Sequence, residues 1–140
     1  MRLRSIKWIF ALVFLTASPL LAAEPNKPFT AISVKTRSDP QAKIAAWYLP
    51  ADGRAQGTVF CAHGFRNNKH LLVPYQWIRD DLNWNMVLFD FRNHGESSRT
   101  GIPTLGYNEQ WDVKAMIDWA EANHLAKPYV CLGISMGASI

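Results

Sequence analysis

Three short, unbroken apolar runs constrain the fold more than anything else in these 140 residues: Thr58–Ala62 (TVFCA), Met86–Phe89 (MVLF) and Tyr129–Leu132 (YVCL). A strand with one face in water alternates apolar and polar residues. A strand without that alternation needs cover on both faces, as in a parallel sheet between helices. Helical patterns separate the runs. Leu71, Tyr75, Ile78 and Leu82 fall at i, i+4, i+7 and i+11, with Pro74 acceptable in a first turn. Val113, Met116, Ile117 and Ala120 mark one face of a second helix, expected from about Tyr107 to Asn123 and stopped by Pro128. Glu109 and Asp112 fall in its first turns, where the helix dipole favours them. Earlier in the chain, Phe29–Lys35 and Lys43–Leu49 read as strands around a turn at Asp39-Pro40, an antiparallel hairpin at a sheet edge. The order β-β-β-α-β-α-β, without internal repeats, predicts an α/β fold: a mostly parallel sheet with helices on both faces.

The first 23 residues read as an address. Met1–Lys7 is basic, Trp8–Leu15 (WIFALVFL) is apolar throughout, Thr16–Pro19 breaks the run, and Leu20–Ala23 precedes polar Glu24–Lys27. That is the order of a secretory signal, with cleavage expected after Ala23. Trp8–Ala23 is shorter than the ~20 residues that cross a bilayer, so an uncleaved anchor is the second reading. The expected organisation is therefore a signal peptide over 1–23 and one folded unit over 24–140. The product is exported, and meets a membrane only if the leader is retained.

Charge excludes one class of partner. The formal charge is +4, but Arg2, Arg4 and Lys7 supply three of the 15 basic residues, leaving 12 against 11 acidic ones. No basic stripe remains to track a nucleic acid. At 49% apolar and 19% charged residues, the composition is that of a folded domain and not of a disordered chain. Cys61 and Cys131 are too few and too distant for a disulfide scaffold, and two buried free thiols are expected.

The chemistry-bearing residues follow the apolar runs. Gly133-Ile134-Ser135-Met136-Gly137 reads G-x-S-x-G directly after YVCL, with Met136–Ile140 able to begin a helix. A serine there sits on a sharp strand-to-helix turn, its Oγ pushed outward, with flanking glycines relieving crowding. Cys61-Ala62-His63-Gly64-Phe65 ends TVFCA in an HG dipeptide. Asp90-Phe91-Arg92-Asn93-His94-Gly95-Glu96-Ser97 follows MVLF and opens a long connection to Gly106. Such connections border binding sites. No G-x-G-x-x-G and no P-loop is present, so no cofactor is implied.

With HG-x, D-x-R-x-H-G-x-S and G-x-S-x-G in this order after successive strands, the chain from about Phe29 onward resembles the α/β-hydrolase superfamily of serine esterases, lipases and peptidases. The resemblance implies that Ser135 is the nucleophile and that the backbone N–H groups of Phe65 and Met136 form the oxyanion hole. It gives His63, Gly64, Asp90, Arg92, His94, Gly95, Gly133 and Gly137 supporting roles. Asn93 stands where the family often has glycine, and asparagine tolerates a left-handed backbone. The substrate implied is a small acyl ester, or less readily an amide, cleaved through an acyl-enzyme. A cofactor-free perhydrolase or acyltransferase on the same serine and a non-catalytic remnant are the alternatives.

Other roles for these side chains are weaker. His63 and His94 belong to loop-shaping motifs, and His70 and His124 read as solvated. Asp90, His63 and His94 have ligand chemistry but no close ligand pair, so no metal is expected. Ser97 and Ser98 read as loop caps, and Arg92 as the partner of an acid before it is an anchor for a substrate carboxylate. In the family the triad's acid and base follow the nucleophile, and five residues follow Ser135. The chain is thus expected to be the N-terminal half of the domain, truncated after the nucleophile elbow. It should be inactive alone, with YVCL exposed as an unpaired sheet edge.

Overall fold

A computed structural model describes residues 6–10, 23–38 and 42–140. One six-stranded sheet runs through it in the order β1-β6-β4-β5-β3-β2. The strands are β1 (Ile6–Phe10), β2 (Thr30–Lys35), β3 (Lys43–Leu49), β4 (Thr58–Ala62), β5 (Asn85–Phe89) and β6 (Tyr129–Gly133). The four strands β1, β6, β4 and β5 are mutually parallel, while β3 and β2 continue antiparallel as the expected edge hairpin. All five residues of β4 and of β5 are buried, as runs without alternation require.

Cover comes from both sides. On one face, Phe60, Val87, Phe89 and Cys131 pack with Ala115, Met116 and Ala120 of helix α2 (Gln110–Ala122). On the other, Val59, Cys61, Met86 and Leu88 pack with Trp47, Leu72 and Val73. Here the helix expected around Leu71–Leu82 is two pieces, a 3₁₀ helix (Lys69–Tyr75) and the single turn α1 (Trp77–Asp80). Pro74 has no N–H to continue an α-helical ladder, and Gln76 N–H turns back to the Val73 carbonyl at 3.0 Å. The buried pair becomes Leu72 and Val73, and Leu82 is left exposed. Helix α2 begins at Gln110, after the turn through Tyr107–Glu109.

At the N-terminus a strand forms where none is expected. Ile6–Phe10 lies parallel to β6 with Ile6 opposite Tyr129 and Phe10 opposite Gly133, so YVCL is an interior strand and not an unpaired edge. The rest of the 1–22 segment, like the turn at Asp39-Pro40, lies outside the described residues. No helix among the described residues is long and apolar enough to cross a membrane.

Register sets up the site. Ala62 lies opposite both Phe89 and Gly133, so β4, β5 and β6 end level with one another. The segments beginning at His63, Asp90 and Ile134 therefore leave the sheet side by side at its carboxyl end.

Candidate active site

Ser135 bridges β6 and the short helix α3 (Met136–Ser139). Its backbone has φ 51° and ψ −115°, a strained conformation for a residue bearing a Cβ. The serine is exposed while Met136 and Gly137 behind it are buried. The two motif glycines permit this turn. A Cβ on Gly133 would stand 2.2 Å from the Gly137 carbonyl oxygen, and one on Gly137 would stand 2.4 Å from that of Ala62. Ile134 N–H donates to the Ala62 carbonyl at 3.0 Å, and Gly137 N–H to that of Ile134 at 2.9 Å.

The loop after β4 passes next to this turn. A Cβ placed on Gly64 would lie 3.4 Å from Ser135 Cβ. Asn67 N–H closes a turn onto the Gly64 carbonyl at 3.3 Å, and Arg66 occupies its third position with φ 58°. Among the described residues, neither the Phe65 nor the Met136 N–H donates a hydrogen bond. The Phe65 N–H, on the loop after β4, and the Met136 N–H, at the start of α3, are thus two backbone donors without a protein acceptor on either side of the serine turn.

Three ties hold the loop after β4 to the loop after β5. Phe91 N–H donates to His63 Nε2 at 3.1 Å, which leaves the proton on Nδ1, facing the Gly64 carbonyl at 2.7 Å. Arg66 N–H donates to His94 Nε2 at 3.2 Å, and His94 Nδ1 faces the Arg92 carbonyl at 2.9 Å. Lys69 donates to Asp90 twice, from its backbone N–H at 2.6 Å and from Nζ at 2.8 Å. Both rings therefore shape loops, as their motifs suggested, and each has both nitrogens occupied. Burial depresses the pKa of His63 to about 4, so it is a neutral hydrogen-bonding group at physiological pH.

Around this core the remaining motif residues take structural places. Arg92 is buried on Asp112, with its Nη2 2.8 Å and its Nε 3.0 Å from Oδ1, and its backbone N–H reaches Oδ2 at 2.9 Å. It is the partner of an acid and not a substrate anchor. Burial pushes Asp112 above the usual carboxylate range despite these donors. Asn93 has φ 65°, the left-handed conformation expected of it, and its side chain accepts from Thr100 N–H. Gly95, at φ 47°, passes so close to Asp90 that a Cβ would meet Oδ2 at 2.2 Å. Ser97 Oγ donates to the Asp90 carbonyl and accepts from Ala45 N–H, and Ser98 Oγ accepts from Lys43 N–H. His70 stacks edge-on to Trp47, with Nδ1 2.9 Å from the Ala23 carbonyl.

Sequence reasoning missed Lys69, which is fully buried, bonded to Asp90 and Glu96, and 4.7 Å from the Trp47 ring centre. Nothing in KHLL marks that lysine as internal. Glu109 does more than favour the helix dipole: it is buried and accepts from Thr104 N–H, Thr104 Oγ and Gly106 N–H. Burial alone would raise its pKa, but these donors outweigh that effect and hold it low. Among the described residues no group of three or more His, Cys, Asp or Glu side chains is placed to hold a metal ion.

Comparison with known proteins places this geometry. The family model for the alpha/beta hydrolase fold matches residues 57–140. Among solved structures, the Pyrococcus furiosus esterase Pf2001 superposes with a TM-score of 0.69 at 25% identity, covering 79% of this chain and 44% of the esterase. A Xanthomonas campestris protein, XC6422, described as an a/b serine hydrolase without lid, gives 0.65 at 21% identity over 83% of this chain and 56% of its own. Est1E from Butyrivibrio proteoclasticus, solved with ferulic acid, gives 0.62 at 17% identity over 76% of this chain and 43% of its own. The chain thus spans about half the length of these structures or less. Comparison with the curated proteins finds no match. From the HG turn to the serine elbow, sequence and geometry agree: this chain belongs to the alpha/beta hydrolase fold family.

Proposed function

We propose that this chain is the nucleophile-bearing part of an exported serine hydrolase that cleaves carboxylic esters, and amides less readily, through an acyl-enzyme on Ser135. The observation that carries the reading is the strained, exposed Ser135 beside two backbone N–H groups with nothing to bond. In this reading Ser135 Oγ attacks the substrate carbonyl as a base removes its proton. The Phe65 and Met136 N–H groups receive the negative charge that develops on the carbonyl oxygen. Water then attacks the acyl-enzyme and restores the serine.

The base is assigned outside these 140 residues, with its orienting carboxylate. His63 and His94 have both ring nitrogens committed, and neither could accept a proton without breaking a loop tie. The esterase Pf2001 has more than half its length outside the part this chain covers, which is room for both groups. The basic start and the WIFALVFL run support export. Cleavage after Ala23 would remove β1 and free the outer edge of β6 for a later strand.

Fluorophosphonate labelling of the protein carrying the sequence that follows Ile140 tests the nucleophile. The adduct is expected on Ser135, and Ser135→Ala should lower ester turnover by about 10³-fold or more. An active enzyme labelled elsewhere, or Ser135→Ala at full rate, overturns the proposal. Export is read separately, by whether the mature protein begins at Glu24.

A further inference from the structure

Near the serine, the loops after β4 and β5 line an open cleft of about 420 Å³. Phe65, a proposed oxyanion donor, forms one part of its wall, and the neighbouring Gly64 lies against Ser135. Apart from Gly95 and Pro103, the rest of the lining is polar or cationic. Arg66 and Arg99 line it together with the amides of Asn67, Asn68 and Asn93, and no carboxylate does. Glu96, next to Gly95 in the chain, has an oxygen bound to Lys69 Nζ at 2.8 Å.

Both guanidinium groups have donors to spare. The Arg66 side chain has no partner among the described residues, and Arg99 gives one N–H to the Asn93 carbonyl. The walls that carry them are fixed. Arg66 N–H is held by His94 Nε2, Asn93 N–H by the Ser98 carbonyl at 3.0 Å, and Asn93 Oδ1 by Thr100 N–H at 2.7 Å. Two planar cations lining a concave site that no carboxylate lines favour an anion with oxygen acceptors, which guanidinium binds in a forked geometry. Arg92, the motif arginine, cannot serve this purpose because it is buried on Asp112.

We infer that this cleft is an anion subsite of the active site, and that the substrate is an ester bearing a second, negatively charged group, a carboxylate or a phosphate. The assignment rests on the Ser135 reading for its place in catalysis. It rests on the cleft alone for its charge preference.

Titrating the chain with monomethyl succinate and with methyl butyrate separates charge from size, since the two differ chiefly by the carboxylate. The anion is expected to bind, to move the backbone amide resonances of Arg66 and Asn93, and to weaken as salt is raised. The neutral ester is expected to leave them unmoved. Arg66→Gln with Arg99→Gln should weaken the anion about tenfold or more, whereas Arg66→Lys, which keeps the charge but loses the fork, should weaken it less than Arg66→Gln does. Inorganic phosphate binding more tightly than monomethyl succinate would assign the group as phosphate, and the reverse order as carboxylate. Equal binding of charged and neutral esters, no binding of either, or an unaffected double glutamine variant overturns the subsite. Ser135 labelling is read independently. A labelled enzyme without anion preference overturns the subsite alone, and anion preference without labelling supports the subsite while overturning the nucleophile reading.

Discussion

Polar ties hold the loops after β4 and β5, whereas close backbone contact holds the turn after β6. His63, His94 and Lys69 each bridge the first two segments through hydrogen bonds. Ser135 is held because Gly133 and Gly137 let backbone meet backbone where no Cβ fits. The contrast has a chemical logic. In the proposed mechanism the loop that presents the Phe65 N–H must leave that donor unpaired, so its neighbours are tied elsewhere. The elbow must impose an unfavourable φ on a serine, which steric confinement does without using the donors nearby. A polar tie is vulnerable to losing a partner or gaining a proton, and a steric one to gaining an atom.

The largest effect is expected at Lys69. Lys69→Met keeps most of the side-chain volume but leaves Asp90, itself fully buried, without its cation. Breaking one half of a buried pair costs about 3–5 kcal/mol, and urea unfolding should show a loss of that size. A variant within experimental error of the parent would mean that the backbone donors from Lys69 and Glu96 suffice to hold Asp90, and the polar half of the comparison would fall.

Acid attacks the same network through His63. Its pKa lies near 6.5 unfolded and is depressed to about 4 in the fold, chiefly by burial. Between those values the unfolded chain binds a proton that the native one does not, so stability falls as pH falls from about 6.5 to about 4. The whole interval is worth about 3 kcal/mol, in addition to what the carboxylates contribute. Unfolding measured across it on the parent and on His63→Asn isolates the histidine: the variant should be less stable at pH 7 but have a shallower slope. Parallel slopes would place the sensitivity elsewhere.

The steric side is tested by one methyl group. Gly137→Ala would put Cβ 2.4 Å from the Ala62 carbonyl oxygen and 2.8 Å from that of His63, both backbone atoms at the end of β4. Relief requires α3 to move away from the sheet, at a cost of about 2 kcal/mol. The Met136 N–H would move with it, so labelling at Ser135 should slow by more than the stability loss explains. Unchanged labelling would show that the elbow has more slack than its contacts suggest.

What could be read from the sequence follows the same division. Unbroken apolar strands and G-x-S-x-G carry their own geometry, because period and steric fit are local properties; KIAAWYL and TVFCA begin and end where the strands do. The three ordered motifs likewise placed His63, Asp90 and Ser135 at one end of the sheet. The polar ties were not legible. A lysine reads as surface until a buried aspartate is found opposite it, and Asp112 reads as a dipole partner until Arg92 folds onto it. Such pairs are separated by about twenty positions and leave no periodic trace. The N-terminal apolar run was legible as such, but a run of that kind suits a strand as well as a secretory signal, and which strand it pairs with depends on the free edge of β6.

The smallest effect is expected at the two cysteines, where it should be zero. They sit near the ends of adjacent strands, and neighbouring chains are ~4.8 Å apart, close enough on backbone grounds for a disulfide. The register decides otherwise. Cys61 lies opposite Leu132 and Cys131 opposite Phe60, so the two are offset by one position. In a strand one position reverses the side chain, and the two sulfurs enter opposite core layers: Cys61 packs with Leu72 and Leu88, Cys131 with Phe60 and Met116. Both are free thiols, and burial pushes both above their usual pKa, Cys131 to about 11, which suppresses the reactive thiolate. An oxidising environment would therefore find no pair to join. The native protein should leave a thiol reagent unconsumed until denaturant is added and then consume two equivalents. Its unfolding midpoint should be the same with and without reductant. A mass two units below the reduced value, or a midpoint that falls on reduction, would require the β4–β6 register to slip by one residue. That slip would also break the level ending of Ala62 and Gly133 on which the juxtaposition of Ser135 with the loop after β4 depends.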